Sequence, residues 1–175
     1  MDFVICSVPK FALGVPLQGP AVLKAALQQN GFSCRVFDFN DHLGQSFEKI
    51  FNGATWASLE PIFTFEETFK ANQYLLKPML STWVDYILSC SPKCVGLSVF
   101  THRSYFITRE ICRMMREKKF AGRLIIGGAH AVCCGENLLK QNLIDQYFVG
   151  AAEHALVAYA RGNFTKQSLA SHTLS

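Results

Sequence analysis

The run DFVICSV, residues 2–8, is short, apolar and rich in β-forming side chains, and it ends at Pro9. Such a run is typical of a strand that is buried on both faces of a sheet. Residues 10–20 follow it and contain too many glycines and prolines for a regular element, while Pro20 is suited to the first position of a helix. The chain is therefore expected to open with a strand and a long, shaped loop.

The next segments complete a supersecondary unit. Residues Ala21–Asn30 have the apolar spacing of a helix, and Gly31 supplies its stop signal. Ser33–Phe39 then has the composition of a second strand. A strand, loop, helix and strand within about 40 residues predict a right-handed βαβ unit.

The same alternation continues along the chain. Further strands are predicted at Cys94–Phe100, Arg123–Gly128 and Gln146–Val149, and further helices at Tyr105–Lys119, Glu136–Gln141 and His154–Ala160. Five strands separated by helices predict an α/β fold with a doubly wound, five-stranded parallel sheet and helices on both faces, as in Rossmann-like and flavodoxin-like domains. Such sheets bind ligands at the carboxyl ends of their strands, where the expected loops are Pro9–Gly19, Asn40–Gly44, Thr101–Ser104, Gly127–Cys134 and Gly150–Glu153.

Residues 41–91 are rich in aromatic and apolar side chains, and helix is the best interpretation of their spacing. Two pieces are predicted, Glu66–Leu76 and Met79–Ser89, with a kink or break at Pro78 because proline lacks an amide donor. The segment would form a helical part of a single domain that spans residues 1–162. A polar carboxyl-terminal tail, residues 163–175, would follow it.

Composition limits the class of protein. Half of the 175 residues are apolar and only 17% are charged, against roughly 25% in an average soluble domain, so disorder is excluded for most of the chain. No apolar run approaches the ~18 residues of a membrane span, and the start lacks a secretory signal, so we expect a cytoplasmic protein without membrane contact. A net charge of +4 with dispersed basic residues gives no support for nucleic-acid binding.

Seven cysteines form an odd number in apolar surroundings, which is unlike a disulfide framework, so we expect them to be reduced and mostly buried. Adjacent Cys133 and Cys134 lack a second pair for a metal ion, and burial is the better interpretation there too. No metal ligand and no catalytic residue are predicted. Ser98 and His130 have no nucleophile-elbow context.

Two segments at the expected ligand edge carry a resemblance to a known family. They are Val95-Gly96-Leu97-Ser98-Val99-Phe100-Thr101 and Leu124-Ile125-Ile126-Gly127-Gly128-Ala129-His130-Ala131. Together with residues 14–27, 35–40 and 147–156, they resemble the cobalamin-binding amino-terminal domain of cobalamin-dependent radical S-adenosylmethionine enzymes. No single segment is specific; the ordered set over nearly the whole chain makes the resemblance.

The resemblance implies that a corrin ring lies across the carboxyl edge while its nucleotide tail enters the sheet. Ser98, Gly127 and Gly128 would then line the tail channel, with Phe100 and Thr101 beside them. The loop that contains Leu13, Gly14, Val15 and Pro16 would face the corrin. Ala129, His130 and Gly150 complete the cofactor-binding residues that the resemblance implies.

Two departures from the family pattern qualify the resemblance. Residues 9–20 contain no histidine, so no axial cobalt ligand is expected from the first loop, and the role is not transferred to His42. Cys90 and Cys94 have the first spacing of C-x-x-x-C-x-x-C but lack the third cysteine, so no iron–sulfur cluster is expected in this chain. A cobalamin module that is not catalytic alone, with its radical barrel on another domain or chain, is therefore the leading hypothesis.

Other interpretations stay open. The chain could be a degenerate α/β interaction domain that has lost the cofactor and docks a partner through the surface between Trp56 and Trp83. A flavodoxin-like nucleotide-binding domain is a weaker rival, since no glycine-rich phosphate motif is present. Gly127 and Gly128 alone could simply end a strand, His130 could make an ordinary backbone hydrogen bond, and Glu153 could only favour a helix start.

Overall fold

The core of the protein is one parallel sheet of five strands in the order β2-β1-β3-β4-β5. The computed structural model describes residues 1–162, so the tail predicted at 163–175 lies outside the described residues. The strands are β1 (Phe3–Ser7), β2 (Cys34–Asp38), β3 (Cys94–Ser98), β4 (Arg123–Gly127) and β5 (Gln146–Tyr147). Every neighbouring pair is parallel, which confirms the predicted fold class.

Helices cover both faces of this sheet. They are α1 (Gln18–Gln29), α2 (Phe39–Ile50), α3 (Glu60–Thr64), α4 (Glu66–Ser89), α5 (Tyr105–Glu117), α6 (Ala131–Lys140) and α7 (Glu153–Arg161), with short 3₁₀ turns at Ala57–Leu59 and His102–Ser104. Helices α1 and α7 pack together over one face, and α4 and α5 pack over the other with α2 and α6.

The strands supply one core to each face because successive side chains of a strand point in opposite directions. From β1, Val4 and Cys6 belong to the core under α4 and α5, whereas Phe3 and Ile5 belong to the core under α1 and α7. All four are almost completely buried. The buried, continuous apolar strand predicted at the start of the chain is therefore confirmed.

Of the kink or break predicted at Pro78, the break is wrong, because α4 runs without interruption from Glu66 to Ser89. The buried side chains Leu76, Met79 and Leu80 lie on both sides of the proline, and their packing keeps the chain helical. Pro78 itself is exposed, so the loss of one amide donor occurs on the solvent side of the helix.

The loop predicted at residues 40–44 is also wrong, because α2 begins directly after β2. Asp38 caps this helix: its carboxylate accepts hydrogen bonds from the amides of Asn40 and Asp41 at 3.0 and 3.1 Å. An aspartate at this position satisfies amide groups that have no acceptor within the helix. The strand therefore passes into the helix with no connecting loop.

Two helices begin earlier than the sequence predicts. Helix α1 starts at Gln18, so Pro20 is its third residue; a proline is tolerated there because the first amides of a helix lack intrahelical acceptors. Helix α6 starts at Ala131 and not at Glu136, since the amide of Ala131 already donates to the carbonyl of Gly128 at 3.0 Å. The loop expected at 127–134 is consequently only a few residues long.

Candidate functional site

A cleft of about 140 Å³ lies between the sheet and the helix pair α1 and α7. Its floor includes Ile5, Gly96 and Ile125, which are direct neighbours across β1, β3 and β4. Ser98 and Gly127 form the next row toward the carboxyl edge. The cleft therefore lies beside the switch point between β1 and β3, where sheets of this order bind ligands.

The walls of the cleft are mainly apolar. Leu23 of α1, Leu156 of α7 and Phe148, which directly follows β5, are among its lining residues. The segment Gly150–Ala152 and the first residue of α7, Glu153, lie among its lining residues. An apolar cleft with few polar groups suits a flat organic ring better than a chain of phosphates.

The glycines of the cleft are of two kinds. A Cβ atom at Gly96 or Gly127 would make only ordinary contacts, at 3.6 Å or more, so the fold itself does not require glycine at either position. Gly128 differs: its φ is +97°, and a Cβ atom there would lie 2.8 Å from the carbonyl oxygen of Val99. Gly128 is needed for the turn, whereas Gly96 and Gly127 leave space.

Two polar side chains reach the cleft. The hydroxyl of Ser98 has no hydrogen-bond partner among residues 1–162, although its carbonyl accepts the amide of Val8 at 3.2 Å. Glu153 stands in the first turn of α7, where a carboxylate is favoured by the helix dipole, as expected from the sequence. Ser98 is therefore the side chain whose hydroxyl is available to a ligand.

The structure brings together part of the predicted binding set. Ser98, Gly127, Gly128 and Gly150 line the cleft. The remaining predicted residues lie on loops outside it: Leu13, Gly14, Val15, Pro16, Phe100, Thr101, Ala129 and His130. Thr101 has a specific place, because its hydroxyl donates to the carbonyl of Lys10 at 2.8 Å.

Exposed apolar side chains surround the carboxyl edge of the sheet. Leu13 and Val15 follow β1, Phe100 follows β3, and Val132 and Val149 follow β4 and β5. Their exposed fractions range from 39% for Leu13 to 60% for Val15 and Val132. We call these five residues the apolar rim; a ligand or partner at this edge would remove exposed apolar surface from water.

The first part of the loop after β1 is held rigidly. The side-chain amide of Asn40, which is buried, accepts from the amide of Phe11 at 3.0 Å and donates to the carbonyl of Ala12 at 3.2 Å. The indole of Trp56 donates to the carbonyl of Phe11 at 3.0 Å. Residues 13–16, by contrast, are exposed. The loop therefore has a fixed first part, followed by an exposed part at the carboxyl edge of the sheet.

Three histidines have defined surroundings. The Nδ1 atom of His42 accepts a hydrogen bond from the indole of Trp83 at 2.8 Å, so this histidine is tied to α4. His130 lies 6.4 Å from His102 between ring centroids, and burial, with His102 as a second cause, lowers the pKa of His130.

Trp83 is itself buried, so it does not belong to an exposed docking surface between Trp56 and Trp83.

The cysteines are mostly buried, as predicted, and Cys133 is exposed. Burial raises the pKa of Cys34 and Cys134 to about 11 and that of Cys112 to about 12, and it raises the pKa of Cys6 and Cys94 well above the usual range. A thiol that stays protonated at neutral pH is a poor nucleophile and metal ligand. These five cysteines are therefore packing residues.

Sequence reasoning missed the floor and walls of the cleft. Gly96 could have been predicted as a site residue from the sequence, because an isolated glycine inside a strand pattern indicates a close approach of another group or a bulge. Ile5, Leu23 and Leu156 carry no such signal, since they differ in no way from other core positions. Only the packing of α1 and α7 against the sheet shows that these side chains border an opening.

Comparisons with protein-family models, with curated proteins and with solved structures give no match to this chain. The fold and the cleft therefore carry the functional argument by themselves. Among residues 1–162, none of the helices combines the length and the apolar character needed to cross a membrane.

Proposed function

We propose that this protein is a cobalamin-binding module that accepts the nucleotide tail of the cofactor in the cleft between the sheet and helices α1 and α7. The observation that carries the proposal is the pair of strand glycines, Gly96 and Gly127, which open a slot that the fold does not otherwise need. A glycine in a central strand weakens it and is typical of a place where a ligand approaches the backbone.

The residues present fit the two parts of a corrinoid. The apolar cleft suits the flat base at the end of the tail, and a Cβ atom with further carbons at Gly96 would occupy its floor. The hydroxyl of Ser98 would offer the tail a hydrogen bond within otherwise apolar walls. The apolar rim would support the broad corrin ring at the carboxyl edge and exclude water beneath it.

Neither the loop after β1 nor the segment around His42 would supply a histidine to the cobalt of a bound corrinoid. Residues 9–20 contain none, and His42 is bonded to Trp83. When bound, methylcobalamin would supply a transferable methyl group. The chain's own part in such chemistry is to bind and orient the cofactor, and a radical barrel domain on another chain or segment would supply the reaction partner.

Retention of the cofactor tests the proposal directly. Purified protein is mixed with hydroxocobalamin at micromolar concentration, desalted, and examined by absorbance for a bound red species. We expect retention at one cofactor per chain and a spectrum typical of a tail that no longer ligates cobalt. A colourless protein after desalting would refute the proposal.

Two rivals give different results in the same experiment. An interaction domain that has lost the cofactor retains no cobalamin, and the exposed apolar rim would then be the surface that a partner chain covers. A flavodoxin-like domain retains flavin mononucleotide or another nucleotide in place of cobalamin. Parallel desalting with flavin mononucleotide separates these outcomes.

A further inference from the structure

We propose that Lys10 and Arg103 form a binding site for an oxyanion, the phosphate or carboxylate group of a small ligand, at the carboxyl edge of the sheet. Lys10 lies on the loop after β1, and Arg103 lies on the 3₁₀ turn after β3. The site is on the side of α2 and α3, away from the apolar cleft, and it does not depend on cobalamin binding.

Lys10 is held in place with its donors unused. Only 3% of the residue is exposed, and its ammonium lies 4.9 Å from the centre of the Trp56 ring. Its carbonyl is fixed by the hydroxyl of Thr101. Among residues 1–162 the ammonium has no hydrogen-bond acceptor, although it carries three donors, and burial lowers its pKa.

Arg103 supplies a second cation, whose hydrogen-bond donors are only partly used. One terminal nitrogen of its guanidinium pairs with the carboxylate of Glu60 at 2.5 Å, which fixes the side chain. Its Nε atom, however, is inaccessible to water and has no partner in residues 1–162. A buried donor without an acceptor is unfavourable, and within residues 1–162 Thr64 Oγ1 and Arg116 Nε are in the same state. Arg103 differs from them because a second cation without an acceptor among these residues, Lys10, lies in the same cluster.

The charges of this cluster do not balance. Lys10 and Arg103 carry two positive charges, and the electrostatic environment of Lys10 contains one carboxylate, that of Glu60. One positive charge is therefore uncompensated. The side chain of Arg103 is 31% exposed, so a dissolved anion can reach it, while Lys10 is buried and its charge is screened less by solvent. Guanidinium and ammonium donors together are the groups with which proteins bind phosphate and carboxylate.

Calorimetric titration of the full chain with inorganic phosphate and, separately, with acetate tests the site. We expect saturable binding of at least one of the two anions at one site per chain, and the stronger of the two identifies the ligand group. The substitution Lys10→Met keeps the length of the packed side chain but removes its charge, and it should weaken binding about tenfold to a hundredfold. Lys77→Met is the matched control, since it removes one charge from an exposed position of α4 and should leave binding unchanged.

A second readout uses the unmodified protein and does not depend on a variant that folds. The Nε–H resonance of Arg103, assigned by its loss in Arg103→Lys, should move when the anion is added, because the bound anion places a negative charge beside the guanidinium. An unmoved resonance would overturn the proposal. So would binding that Lys10→Met and Lys77→Met weaken equally, or no saturable binding of either anion.

Discussion

Substitutions at Gly96 should separate the stability of the fold from its capacity to bind a ligand. In Gly96→Ala the added methyl group would contact Ile125 and Ile5 at 3.6 and 3.7 Å, which is ordinary packing. Burial of one methyl contributes about 0.8 kcal/mol, and removal of a strand glycine contributes about 0.5–1 kcal/mol. The free energy of unfolding should therefore rise by about 1–2 kcal/mol.

The same substitution should weaken cobalamin binding, and Gly96→Val should abolish it, because the branched side chain would occupy the floor of a cleft of about 140 Å³. Thermal unfolding followed by circular dichroism measures the stabilisation expected in Gly96→Ala, which amounts to a rise of about 2–8 °C in Tm for a chain of this length. Absorbance after incubation with hydroxocobalamin and desalting measures how much cobalamin each variant retains. A β-branched residue is also favoured in a strand, so Gly96→Val should remain folded.

A control variant tests whether a larger side chain at an unrelated position also changes cobalamin retention. Ala71 is exposed on α4, and Ala71→Val should retain cobalamin like the unmodified protein. If Gly96→Val also retains it at full stoichiometry, the tail does not enter the cleft and the reasoning fails. If Gly96→Ala is less stable than the unmodified protein, the conclusion that the fold does not require glycine at this position is wrong.

Three further substitutions test particular contacts. Gly128→Ala should destabilise the protein by more than about 1 kcal/mol in chemical denaturation, because its φ is +97° and the new methyl would meet the carbonyl of Val99; an unchanged midpoint would contradict this. The ammonium of Lys93 holds the pKa of Asp2 well below its usual range, so Asp2 stabilises the fold above its unfolded pKa of about 3.9 and loses this contribution as the pH falls below it. The difference in unfolding free energy between the unmodified protein and Asp2→Asn should accordingly be constant near neutral pH and shrink in acid, and a difference independent of pH would refute the assignment. Pro78→Ala should raise Tm, since it restores an amide donor within α4 and removes a penalty of up to about 3 kcal/mol, whereas a lowered Tm would show that the proline is not strained there.

The fold could be predicted from the sequence because its strands follow simple patterns. The runs at β1, β3 and β4 are short and mainly apolar, and β1 and β4 each contain two β-branched residues, which indicates buried strands. Their alternation with helical segments leaves a parallel sheet as the natural arrangement. Gly127, at the end of β4, could likewise be assigned to the ligand edge from topology alone.

The errors arose where a local signal competed with packing. Pro78 is a strong helix breaker by propensity, but the apolar stripe of α4 outweighs it. The strand predicted at Ser33–Phe39 includes Asp38, although aspartate is also a preferred helix cap, and the cap decides the position of α2. The walls of the cleft could not be predicted, because Leu23 and Leu156 approach each other only when α1 and α7 are packed.

The carboxyl edge of this sheet has two chemically different sides, and the fold explains why they coexist. On the side of α1 and α7, strand glycines and aliphatic walls leave an apolar cleft; on the side of α2 and α3, Lys10 and Arg103 have donors that find no acceptor among residues 1–162. Both sides include loops after β1 and β3, whose positions relative to each other are set by the bond between Thr101 and the carbonyl of Lys10. A ligand with an apolar ring and a ligand with an anionic group would therefore meet at one edge in a fixed geometry. That arrangement suits a module that presents a bound group to a second reactant better than one that only buries a ligand.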